Sequence, residues 1–437
     1  MWRIGLRGAT AVGGTPMVDG AGPVGRTRVM VGGAGMRGSA GRLVLAFLVG
    51  LVGAVTLATP AWAHGADAPD GTDYRSEVTE VTPAPPGLTV RTIEAGARLE
   101  LINRTGRTIE VLGYSGEPYL EVRPEGVFEN VNSPATYLNR TLAGDTVPPT
   151  NADPAVAPSW RLIADEPVAR WHDQRTQWLG SGLPRQAQAD PSREHRIREW
   201  AVPLRDGSGT VQVRGTLDWV PPPSPLMWWA VSLLTAAMVA FLGLAFRPAA
   251  AAAVAQPTAA AGDTDPGTHP VGRVGTVVLA VVAALGGVGA VVFAVAREID
   301  AGSTSLGAML QGLLTAQTWA VLAGLGALAA AGYALARRPA ADFALALAGS
   351  CLALFAGVAN AAVFHRAIAP VPWPATWARL LIALMIVTGA GVGLAGVLRL
   401  RATGRGEAGA ATEEAATPVS AGWRVATNSD PAEQPDA

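Results

Sequence analysis

The residues best suited to chemistry in this chain are a few histidines and one aspartate. In TPAWAHGADAP (59–69), Ala61-Trp62-Ala63 forms a small-x-small cleavage site directly before His64. Cleavage there makes His64 the first residue, with its α-amine and imidazole free to chelate one metal ion together. A second imidazole completes a T-shaped three-nitrogen site of the kind that suits copper(II). His172 is the best partner: in ARWHDQRTQWLG (169–180) it lies between Trp171 and Trp178, with Asp173 beside it to orient the ring or donate an oxygen. His195, in SREHRIREW, is the alternative partner. The expected metal set is therefore His64, His172, Asp173 and His195, with copper(II) as the ion. The competing reading is that His64 merely follows a cleavage site and that His172 hydrogen-bonds within a core.

Other chemistries find little support. The one cysteine, Cys351, sits in an apolar run, so no disulfide is available and the thiol is expected to be buried and inert. Ser115 in GYSGEPYL follows Tyr114 and has no general base near it in sequence. A phosphate loop and a paired-carboxylate pattern are both lacking, so an enzyme is not expected. The formal net charge of -1 gives no global attraction for nucleic acid.

These residues must be positioned by a chain of mixed character. It has 437 residues, 49% of them hydrophobic, too apolar for an ordinary soluble protein. Residues 1–35 are Gly-rich and aperiodic; they are expected to be disordered, with Met30 or Met36 as possible true starts. Residues 36–63 read as a secretory signal peptide: Arg37 and Arg42 precede the apolar run LVLAFLVGLVGAVTLA. An uncleaved signal anchor is the alternative.

From 64 to 225 the aliphatic runs shorten and turn residues recur. LTVRTIEAG (88–96), ARLELINRTG (97–106), RTIEVLGY (107–114) and PYLEVRPEGVFEN (118–130) alternate apolar and polar residues. So does EWAVPLRDGSGTVQVRGTLDWV, around an Asp-Gly turn. Period-2 alternation predicts half-buried strands, and strands at this spacing predict an exported, Ig-like antiparallel β-sandwich. Residues 142–160 and 180–195 read as long loops. The segment 112–139, rich in Tyr, Asn, Pro and Gly, reads as a set of specific turns or as a recognition surface.

Residues 226–400 then predict an all-α bundle of five transmembrane helices, near 226–246, 273–296, 313–336, 341–364 and 376–399. Counting from an external 64–225 domain puts Arg247, Arg273, Arg337, Arg338 and Arg401 inside and the 297–312 and 365–375 loops outside, which obeys the positive-inside rule. The spans are poor in ionisable groups, against a transporter. Gly389 with Gly393, and the cluster Gly286, Gly287 and Gly289, predict close helix packing. The 401–437 tail is expected to be cytoplasmic and disordered.

The stretches HGADAPDGTDYRSEVTEVTP, LGYSGEPYLEVRPEGVFENVNSPATYLN, RWHDQRTQW and VRGTLDWVPPP resemble an uncharacterised group of actinobacterial membrane proteins. That likeness implies a signal peptide, an exported β-rich domain and C-terminal helices, without an activity. In layout and in the position of His64 the chain is also similar to periplasmic copper-resistance proteins. The expectation is a non-enzymatic multi-pass envelope protein that binds copper(II) or a similar ion through its exported domain. The alternative is an anchored protein whose exported domain binds an envelope partner without metal. The lipid bilayer is a partner in either case, and nucleic acid is not.

Overall fold

Alternation builds the sheets, and interruptions in it set their shape. The computed structural model describes residues 70–245 and 270–416. The expected disordered start, the signal peptide and His64 lie outside them. The described strands are β1 (Tyr74–Thr82), β2 (Leu88–Ile93), β3 (Arg98–Asn103), β4 (Ile109–Leu112) and β5 (Pro118–Arg123). They continue with β6 (Gly126–Asn130), β7 (Trp160–Ala164), β8 (Val168–Trp171), β9 (His195–Asp206) and β10 (Gly209–Trp219). All pairings are antiparallel. Seven strands form one sheet in the order β1-β10-β9-β4-β5-β6-β7, and β2-β3-β8 form a second.

The expected strands are present, and the period explains where they turn. The alternation over 118–130 resolves into the β5–β6 hairpin, broken at Pro124-Glu125. Between β9 and β10, Gly207 supplies the positive φ (60°) that a two-residue hairpin turn requires. A register shift in the β9–β10 pairing, opposite Leu217 and Asp218, changes which alternate positions of β9 point inward. Ile197, the unpaired residue at the shift, is buried, and Trp200, Val202 and Leu204 are buried after it. Strand β1 was not anticipated, nor were β7 and β8, and the expected loop over 180–195 contains one short helix, α2 (Arg185–Ala189), after α1 (Ala135–Leu138). Leu99, Leu101, Ile109, Val122, Leu204 and Leu217 are fully enclosed and draw on both sheets to make one core. Each such side chain contributes about 1.5–3 kcal/mol of burial.

Five helices are long and apolar enough to cross a membrane. They are α3 (Pro225–Ala245), α4 (Pro270–Asp300), α6 (Thr318–Leu335), the span that begins with α7 (Ala341–Cys351) and runs to Phe364, and α8 (Ala375–Ala416). The chain is thus a multi-pass membrane protein with a β-sheet domain ahead of its helices. A short apolar helix, α5 (Leu306–Thr315), takes the place of the first residues of the expected third span. Helix α8 continues to Ala416, past the boundary at 400 drawn from loss of apolar residues; its Ala- and Glu-rich continuation has high helix propensity.

The glycine pairs do bring helices close. A Cβ on Gly389 would lie 2.5 Å from the backbone nitrogen of Ala353, and one on Gly349 would lie 2.7 Å from that of Gly393. Gly287 and Gly324 stand in the same relation across α4 and α6. Lipid offers no hydrophobic drive for helix association, so such backbone contact is a main source of cohesion. Gly389→Leu is therefore expected to destabilise the helix packing by about 1–3 kcal/mol. Gly326→Leu, where an added Cβ meets no atom within 4 Å, should be near neutral. Thermal unfolding of both variants in the same detergent checks the difference.

Candidate functional site

The chain concentrates buried charge where the sheet domain meets the helix ends. Residues 70–245 and 270–416 belong to one compact unit, held together by bonds between segments far apart in the chain. Ahead of β1, the Asp73 carboxylate accepts from the Ala367 N–H at 2.9 Å and pairs with Arg366 at 2.7 Å. Thr72 and Ile368 exchange both backbone hydrogen bonds, at 3.0 and 2.8 Å. Asp70 pairs with Arg297 at 3.1 Å, and Arg297 also donates to Asn360 Oδ1 at 3.0 Å. From the smaller sheet, Arg170 donates to the Gly302 carbonyl at 2.5 Å while bonding Glu100 at 2.7 Å. Glu100 is fully buried and is shared with Arg91. Gly302 (φ 81°) is packed against this pair, and an added Cβ would fall 2.4 Å from Glu100 Oε2.

The turn between β2 and β3 carries backbone strain. Glu94 (φ 54°), Ala95 (φ 55°) and Gly96 (φ 87°) are all left-handed, a conformation that non-glycine residues adopt at a cost of about 1–2 kcal/mol. Partners on both sides hold it. The Ala95 N–H donates to Asp300 at 2.9 Å, and Gln177 Nε2 donates to the Gly96 carbonyl at 2.6 Å. Burial pushes the Glu94 carboxyl above its ordinary pKa, against the pull of Arg98 and Arg170.

The structure puts His172 beside this turn, in a structural setting. Its Nδ1 donates to the Ala97 carbonyl at 2.9 Å, and its Nε2 accepts from Arg98 Nε at 3.2 Å. A metal at Nε2 would have to displace a guanidinium. Asp173 is wholly buried and grips Arg175 at both oxygens, at 2.8 Å each, while Trp171 Nε1 donates to it at 3.1 Å. It also caps the short 3₁₀ turn Gln174–Thr176 through the Arg175 N–H. His195 opens β9 in the larger sheet and donates from Nε2 to the Asp190 carbonyl at 2.6 Å. His172 and Asp173 follow β8 of the smaller sheet, so the candidates are divided between two sheets. Among the described residues no group of three or more His, Cys, Asp or Glu is arranged to hold a metal ion.

The 112–139 segment holds the β5–β6 hairpin and hydrogen-bonded turns. Asn130 donates to the Pro118 carbonyl at 2.7 Å and accepts from the N–H groups of Asn132 and Ser159 at 3.0 Å each. Ser133 donates to Glu117 at 2.7 Å, and both are buried. Sequence reasoning missed the junction residues because its partners lie far apart in the chain. Arg297 and Arg366 were visible only as outer-loop arginines, and Arg379 not at all. Arg379 is buried and donates to the carbonyls of Val363, Arg366 and Ala367, fixing the loop that receives Asp73.

Two outcomes follow. His172→Ala should destabilise the protein by about 1–3 kcal/mol, because it strands the buried Ala97 carbonyl and takes one partner from the half-buried Arg98; chemical unfolding measures it. A carboxyl raised in the folded state holds its proton more tightly than in the unfolded chain. The Glu94 contribution is therefore complete at low pH and lost as pH rises from the ordinary carboxylate value through the raised one. Glu94→Gln should flatten that limb of a stability–pH curve. Compared with known proteins, the chain matches no family model, no curated protein and no solved structure.

Proposed function

We propose that the chain is a non-enzymatic envelope membrane protein that holds an extracytoplasmic interaction domain in a fixed orientation over its helices. The observation that supports this reading is the junction itself. Anchoring alone would need only the Pro221-Pro222-Pro223 link to α3. Instead Asp70, Asp73, Ala95 and Arg170 each bond to a different point of the helix ends. The arginines support an external sheet domain: Arg337 and Arg338 lie between α6 and α7, at the ends remote from it. In this reading the two sheets act as an Ig-like sandwich and the five spans as one bundle, with the C-terminus cytoplasmic.

The surface offered to an envelope partner is the edge strand β7. It lies six strand spacings from β1, roughly 29 Å across the sheet. Leu162 and Ile163 are each 49% exposed there, and Val147 and Val156 are exposed in the preceding loop. An apolar open edge favours strand addition. Copper(II) binding has less support, because the rings and carboxylate named for it already serve Arg98, Ala97 and Arg175. The likeness to copper-resistance proteins then rests on His64.

Spin labels at Ile163→Cys and Arg338→Cys, in the full chain with Cys351→Ser, test the fixed seat by pulsed distance measurement in lipid. One narrow distance is expected, broadening when Asp73→Ala and Arg366→Ala are combined. A broad distribution without those changes would remove the support. Copper(II) titration of the full chain should be unaffected by His172→Ala; a weakening of about tenfold would restore the metal reading.

A further inference from the structure

Helix α5 (Leu306–Thr315) fits neither of the usual settings for an apolar helix. Its ten residues make a rod of about 15 Å, half the ~30 Å of a hydrocarbon core. None of those residues is buried in the protein. Successive helical residues turn by about 100°, which divides α5 into three faces. Met309, Gly312 and Leu313 look inward: Gly312 lies against the Glu298 carboxylate, and Leu313 packs on the core that the spans share. Leu306, Leu310 and Leu314 form a second face and are 74%, 49% and 71% exposed. Gly307, Ala308, Gln311 and Thr315 form the third, which is also exposed. A helix whose outer surface splits into an apolar side and a more polar side suits a boundary between hydrocarbon and water.

Its place in the chain says which boundary. Helix α5 joins the end of α4 to the start of α6. That is the side of the sheet domain, where Asp300 takes the Ala95 N–H and the Gly302 carbonyl takes the Arg170 bond. Trp319, in the first turn of α6, and Trp377, in the first turn of α8, are both exposed at this level. Tryptophan at the ends of spans marks the head-group region. Beyond Trp319 the exposed surface continues down α6 through Leu322 and Leu325. We infer that α5 lies along the bilayer surface beneath the sheet domain, with Leu306, Leu310 and Leu314 sunk among the upper acyl chains and Gln311 and Thr315 turned to water. The partner is the lipid surface itself. No charged residue stands between Asp300 and Arg337, so the attachment is apolar and indifferent to head-group charge. Helix α5 thereby sets the depth of the Gly302 loop on which Arg170 rests. The inference rests on the long helices crossing a bilayer, and it does not depend on the partner offered to β7.

The test uses the full chain in nanodiscs of phosphatidylcholine that carries a photoactivatable diazirine near the head-group end of its acyl chains, with adducts mapped by mass spectrometry. Adducts on Leu306, Leu310 or Leu314 are expected alongside those on α6. Replacing half of the lipid by phosphatidylglycerol should leave their yield unchanged. Spin labels at Leu310→Cys and Gln311→Cys, each with Cys351→Ser, then read the two exposed faces in the same discs. The first label should be relaxed by oxygen and shielded from a water-soluble nickel chelate, and the second should show the reverse. Both labels open to the nickel chelate would overturn the inference. A first label shielded from both reagents would overturn it too, because protein, whether a second copy or another part of this chain, would then cover the leucine face. An adduct yield that requires phosphatidylglycerol would overturn the apolar attachment. Adducts on no helix would overturn the bilayer reading and this one with it, whereas an unlabelled α5 beside a labelled α6 overturns this one alone.

Discussion

Arg297 is a buried cation at the end of a membrane-spanning helix, and it is neutralised from outside that helix. Leaving such a charge unpaired in a low-dielectric setting costs several kcal/mol. Its partners are Asp70, ahead of the first strand, and Asn360, in the irregular part of the fourth span. One side chain thereby joins the sheet domain, α4 and the span that follows α7. Asp300, one turn further on, does the same for the strained Glu94–Gly96 turn by taking the Ala95 N–H. Arg297, Asp300 and Asp73 each find a partner across the junction, which is why it holds.

The irregular backbone of the fourth span fits this picture. After α7 the chain passes through a π-helical turn at Leu352–Gly357 and a 3₁₀ segment at Val358–Phe364. Such a break is tolerated at membrane depth only where protein covers it. Here Phe364 is enclosed and stacks with Trp228, and Gly357 lies against Ile386. The break carries Asn360 to Arg297 and delivers Arg366, Ala367 and Ile368 to the sheet domain. At the opposite ends of the helices, buried Arg399 bonds the Gly243 carbonyl and Asp342. The ionisable groups of the spans thus sit at helix ends and act as clamps.

His172 shows why residue type alone is a weak guide to chemistry. An imidazole beside an aspartate and between tryptophans has the ingredients of a metal site. Burial changes their use. With the backbone of Ala97 on one nitrogen and Arg98 on the other, the ring completes the polar edge of a sheet. Asp173 and Arg175 likewise form an internal pair that ties the 171–178 turn to the Leu112 carbonyl. The same donors and acceptors serve folding once no water is left to satisfy them.

Periodicity carried the fold a long way. Strands β2–β6, β9 and β10 and five apolar spans were legible from alternation and run length, since both are local consequences of one-sided or all-round burial. The close approach at Gly389 and Gly393 was legible for the same reason: small residues at helical spacing have few other uses in lipid; that Gly349 meets them was not. Strands β1, β7 and β8 were not, because their pairing partners are remote: Tyr74 meets Trp219, and Leu99 meets Trp171. The junction was hidden altogether. Asp73 and Arg366 are separated by 293 residues, and each alone reads as an ordinary surface charge. Only the tertiary structure decides that these charges meet, with Asp73 buried at the junction. Burial depends on what the rest of the chain places over a residue, which no local pattern records.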